Sequence, residues 1–98
     1  MLNATVAQGA MTLVGELQVH HLQEFKADLS QALEESDLSV VDVTGVSDVD
    51  VAGLQLLLAF FHTASQRGTA CKLRGASPAM RKAMQLTGLE QPLSAFMA

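Results

Sequence analysis

Asp42, Thr44, Ser47, Asp48 and Asp50 put three carboxylates and two hydroxyls on one short stretch, which joins the end of an apolar run at Val41–Val43 to another starting at Leu54. Hydroxyls accept phosphoryl groups, carboxylates attract basic side chains, and a carboxylate just before a helix caps its first N–H groups. A helix N-terminus carries partial positive potential, so a phosphate placed there is attracted by the helix and repelled by Asp48 and Asp50. Thr44 and Ser47 are the hydroxyls that could be phosphorylated, and bonding to turn backbone is their alternative role. Asp50 reads as an N-cap, as a partner contact, or as both. Gly53 either packs tightly on a neighbouring strand or lets another backbone approach.

Other chemistry finds little support. His20 and His21 are adjacent and diverge on a helix, and His62 has no second ligand at metal-binding spacing. Gly45 and Gly53 form no dinucleotide or Walker pattern. No serine, histidine and acid can be grouped as a nucleophilic triad, so neither an enzyme nor a cofactor is expected. Cys71 is the only cysteine; it reads as a small buried hydrophobe, and internal disulfides are excluded.

The elements that must hold this stretch fit one domain over residues 1–98, with 49% apolar residues for its core. Six basic residues against ten acidic ones give a net charge of −4, and no Lys/Arg stripe could track phosphates, so nucleic acid is not an expected partner. Four Phe are the only aromatic residues, which leaves Leu, Met and backbone as interface material. No run is long enough for a membrane span and no basic flank marks a signal peptide, so the expected location is cytoplasmic.

Asn3–Ala7 and Ala10–Val14 read as a hairpin around Gln8-Gly9, closed by Gly15. From about His20 to Leu33, the residues Leu22, Phe25, Leu29, Ala32 and Leu33 recur at helical spacing. Leu38, Val40, Val41 and Val43 predict a central strand covered on both faces. Leu54–Gln66 predicts a second helix with Leu54, Leu57, Leu58, Phe61 and Ser65 inward and Gly68 as its stop. Ala52, Leu56, Ala59 and Thr63 share another side, either a docking face or a strip covered by the third helix. Thr69–Arg74 reads as a further strand, and Ser77-Pro78 opens a third helix that ends at Gly88. Met80 and Met84 read as core filling, and the low polarity of Pro92–Ala98 suggests a last docked turn. The architecture is α/β, in the order β-β-α-β-α-β-α, with a mixed sheet packed against helices.

Gly15-Glu16-Leu17 after the hairpin, Val41-Asp42-Val43-Thr44-Gly45-Val46, and Asp50-Val51-Ala52-Gly53-Leu54 before a Leu-rich helix resemble the STAS domain from roughly Ala10 to Leu89. The name stands for sulfate transporter and anti-sigma factor antagonist. The resemblance implies a non-enzymatic, bacterial protein-binding switch in signal transduction and transcription regulation. In anti-sigma factor antagonists the loop reads Asp-Ser-Ser-Gly-Leu, and a kinase that is itself the anti-sigma factor phosphorylates the second serine. By position that serine is Ala52 here, with Val51 before it, and neither can accept phosphate. The Asp that often follows Gly-Glu-Leu is Gln18. Ala52-Gly53 is similar to the Asp-Thr-Ala-Gly-Leu form of the small STAS subunit of bacterial lipid-transport ABC systems and of STAS proteins linked to chemotaxis signalling. Val51 replaces that threonine with nearly the same shape.

The resemblance, the loop carboxylates and the Ala52-Leu56 side of the second helix together make Asp48, Asp50, Val51, Ala52, Gly53 and Leu56 the expected partner-binding set. Three partner classes follow from it: an anti-sigma factor of the kinase type, the ATPase of a lipid-transport ABC system, or a chemotaxis or two-component signalling protein.

Overall fold

Gln8 and Gly9 take φ of 54° and 79°, as a two-residue hairpin turn requires, and fold Leu2–Ala7 (β1) back onto Ala10–Leu17 (β2). The structure, a computed structural model, describes residues 2–18, 22–35 and 38–97. His20 and His21 lie outside the described residues, and Leu22–Glu35 (α1) follows them. Val40–Val49 (β3), Val51–Gln66 (α2), Lys72–Arg74 (β4), Pro78–Thr87 (α3) and Glu90–Ser94 (α4) complete the order.

The sheet order is β1-β2-β3-β4, antiparallel in the hairpin and parallel thereafter. Because the order advances in one direction, right-handed crossovers carry α1 and α2 to the same side. The expectation that β3 is covered on both faces is therefore corrected. Val41, Val43, Val46 and Val49 are buried, whereas Thr44, Gly45, Ser47 and Asp48 are exposed and Val40 and Asp42 are half-buried. On the open face Thr5, Thr12, Asp42 and Arg74 are successive cross-strand partners.

Two strands outrun their expected limits. β2 continues past Gly15 to Leu17 because Gly15, Glu16 and Leu17 pair with Val46, Asp48 and Val49. Register shifts fall between Thr12 and Val14 and between Gly15, whose φ is 115°, and Glu16, as in a bulge. The same pairing makes Thr44–Val49 strand rather than loop. β4 is shorter than expected and starts at Lys72.

The core unites Met11, Leu13 and Leu17 of β2 with Phe25, Leu29 and Ala32 of α1, and with Leu54, Leu57, Phe60, Phe61 and Ala64 of α2. Ser65 is exposed, so the expected inward stripe is corrected to Ala64, and Phe60 joins it. α2 carries apolar residues on most sides, which blurs its period. Met80, Met84 and Leu93 are buried from α3 and α4. The docked turn of the tail is α4, beyond which Leu73 N–H donates to Phe96 O at 2.7 Å and Leu73 bridges Met97. Phe96 stacks on Phe61 with centroids 5.4 Å apart. Cys71 is buried, and desolvation pushes its thiol up to about 11.

Candidate docking site

Asp50, the single residue between β3 and α2, is extended, with φ −102° and ψ 174°. Its Oδ1 accepts from Gly53 N–H at 2.9 Å, satisfying one of the donors every helix start leaves open. Its own N–H donates to Leu17 O at 3.2 Å, which ties the junction to the end of β2. Gly53 rests on that same carbonyl: a Cβ there would lie 2.5 Å from Leu17 O. The missing side chain thus serves the helix's seat on β2.

Asp48 is exposed and held from two sides. Its Oδ2 accepts from Gln18 Nε2 at 2.7 Å and its Oδ1 from Val49 N–H at 2.9 Å. Ser47 Oγ donates to Gly15 O at 3.2 Å, the backbone role open to it in the sequence. Val51, the first residue of α2, is 48% exposed, and Ala52 behind it is half-buried. The junction therefore presents a valine beside two anchored carboxylates, with no hydroxyl at positions 50–53.

Asp42 and Thr44 do not belong to this group. Asp42 lies six residues before Asp48 along an extended strand, about 20 Å away. Asp42 Oδ1 accepts from Thr44 N–H at 2.9 Å, and Arg74 Nη2 stands 3.2 Å from Oδ2. Hydrogen bonds from the Thr44 side chain and backbone, followed by Arg74, hold the Asp42 carboxyl below its ordinary value. Thr44 also crowds Gly75, whose φ is 72°.

The strip on α2 divides. Leu56, Ala59 and Thr63 line a cleft with Lys26, Leu29, Ser30, Leu33 and Glu34 of α1, joined by Phe60 and Arg67. The expected neighbour of this strip, the third helix, is thus corrected to α1. Leu56 is half-buried against the core, and Ala52 lies outside the cleft. Sequence reasoning missed two features of the site. Gln18 clasps Asp48 across 30 positions, and the α1–α2 cleft has no local signature. Among the described residues no group of His, Cys, Asp or Glu could hold a metal ion, and no helix is long and apolar enough to cross a membrane.

The mixed four-stranded sheet, its helices on one face, and the capped strand-to-helix junction define a STAS fold. A family model described as "Mlab, STAS domain" matches residues 1–97, and the chain belongs to the STAS family. Solved structures agree. An anti-sigma factor antagonist from Mycobacterium paratuberculosis is similar at TM-score 0.72 and 18% identity, over 98% of this chain and 92% of that one. The phosphorylated form of the Bacillus cell fate determinant SpoIIAA is similar at 0.66 and 22%, over 100% and 89%. A sulfate transporter family protein from Wolinella succinogenes is similar at 0.64 and 22%, over 91% and 75%.

Proposed function

We propose that residues 1–98 form one cytoplasmic, non-enzymatic protein-interaction domain, an anti-sigma factor antagonist-like regulator that lacks the phosphorylatable serine. The observation that carries this reading is the exposed Val51 at the start of α2. Val6, Val14 and Leu86 are also exposed, but Val51 alone of these stands at a helix start, beside the anchored Asp48 and the capping Asp50, so apolar and anionic surface are offered together there. Asp48, Asp50, Val51, Ala52 and Leu56 form the contact set, and Gly53 holds the helix at the height that presents them. Ala52 stands where the antagonists carry their phosphoserine, so binding through this junction is constitutive. Thr44 is too far along β3 to replace that serine, and Ser47 bonds the Gly15 carbonyl.

A second reading rests on Ala52-Gly53-Leu54, which is similar to the small STAS subunit of lipid-transport ABC systems and to chemotaxis-linked STAS proteins. In that case the partner is the transporter's ATPase or a signalling protein.

Affinity capture with the tagged chain and with Val51→Asp, read by mass spectrometry, tests both. An ATP-binding anti-sigma factor lost from the Val51→Asp sample supports the first reading, and an ABC-transporter ATPase or chemotaxis kinase lost from it supports the second. A partner retained equally by both baits would place the interface elsewhere.

A further inference from the structure

The α1–α2 cleft has an apolar floor of Leu29, Leu33, Leu56 and Phe60, and a volume of about 160 Å³. Small side chains, Ser30, Ala59 and Thr63, interrupt its walls. Lys26, Glu34 and Arg67 stand on it and are exposed, and the one ion pair between described residues, Arg74 with Asp42, is elsewhere. Lys26, Ser30 and Glu34 follow one another at intervals of four, so they lie on one side of α1, with each charge about 6 Å along the axis from Ser30.

This arrangement is its own complement. Rotating α1 by 180° about an axis through Ser30 reverses its direction and brings Lys26 opposite Glu34 of a second copy, and Glu34 opposite the second copy's Lys26. The same operation sets exposed Ala27 opposite half-buried Leu33. Serine at the axis lets two helices approach closely. An isologous two-fold contact needs this kind of pattern, in which each residue meets its counterpart's complement. Among the described residues Glu34 is the only carboxylate lining the cleft, and the rotation sets it opposite Lys26.

We propose that the α1–α2 cleft is a homodimer interface, closed by a second copy of this chain packed antiparallel about Ser30, with two Lys26–Glu34 pairs at its ends. The contact leaves Val51 and Asp48 uncovered, so the dimer displays two copies of the docking junction. Leu56 belongs to both surfaces, so a partner that reaches it competes with the second copy, whereas Lys26 and Glu34 are outside the proposed contact set and their charge reversals test the dimer alone.

Sedimentation equilibrium of the purified chain over a wide concentration range, with charge-reversed variants, tests it. The expected result is a reversible monomer–dimer equilibrium in the parent. Lys26→Glu alone, or Glu34→Lys alone, should weaken dimerisation by about tenfold or more, because symmetry turns each reversal into two repulsive pairs. The double variant Lys26→Glu/Glu34→Lys restores opposite charges across the axis and should recover most of the parent's affinity. All these positions are exposed, so circular dichroism should report an unchanged fold. A parent that stays monomeric at the highest concentration, or a dimer indifferent to the single reversals, would overturn the proposal. Failure of the double variant to recover would overturn the antiparallel register.

Discussion

The β3–α2 and β4–α3 junctions solve the same problem with opposite exposure. Each ends a parallel strand, caps a helix with an oxygen side chain, and bonds the N–H three residues on: Asp50 to Gly53 at 2.9 Å, Ser77 to Met80 at 3.2 Å. Ser77 is buried and also donates to Val46 O at 2.7 Å, and Pro78 follows it into α3. Asp50 is half-buried and Val51 behind it projects into solvent. A cap sealed into the core can only stabilise, whereas one at the rim also determines what the helix start offers to another molecule. The β4–α3 junction is architecture, and the β3–α2 junction is architecture with a display surface.

The contrast breaks most severely at Gly53. Gly53→Ala forces a methyl group onto the Leu17 carbonyl and should lower stability by about 3 kcal/mol, read by urea denaturation, while also shifting Val51 and reducing partner capture. Ser77→Ala comes next. Losing both the cap and the bond to Val46 O inside the core should cost about 2 kcal/mol, with partner capture in the surviving folded fraction unchanged. Asp50→Ala, the same cap deletion at the rim, should cost only about 1 kcal/mol; a loss as large as that of Ser77→Ala would erase the distinction. Val51→Thr is the mildest and most discriminating change. Stability should move by no more than about 0.5 kcal/mol, and any change in partner affinity then reports the surface alone.

Legibility in the sequence followed how local each signal was. The Gln8-Gly9 hairpin, the Ser77-Pro78 start of α3 and the Asp50 cap were readable because their information lies within a few adjacent residues. The length of β3 was not. Thr44-Gly45-Val46-Ser47-Asp48 has the composition of a loop, and only the shifted pairing with Val14–Leu17 holds it as strand. Gly45 illustrates the cause, since a Cβ there would sit 3.0 Å from a Val14 methyl and 3.2 Å from Leu13 O. Phe60 escaped the core assignment because α2 is apolar nearly all round. The cleft escaped because Lys26 and Arg67 are 41 positions apart in sequence and share a wall only after α1 and α2 land on the same face.

The Leu73 bond to Phe96 O has a consequence for assembly. A sheet with two bare margins can be extended from both sides, and copies can then add to one another without limit. Here the β4 margin is already occupied by the 96–97 segment, while β1 carries no charged residue to repel an incoming strand. Strand addition can therefore happen on one side only. A continuous sheet built that way consumes the open margin of both copies and ends there, so the short contact at Leu73 limits how far strand pairing alone can extend.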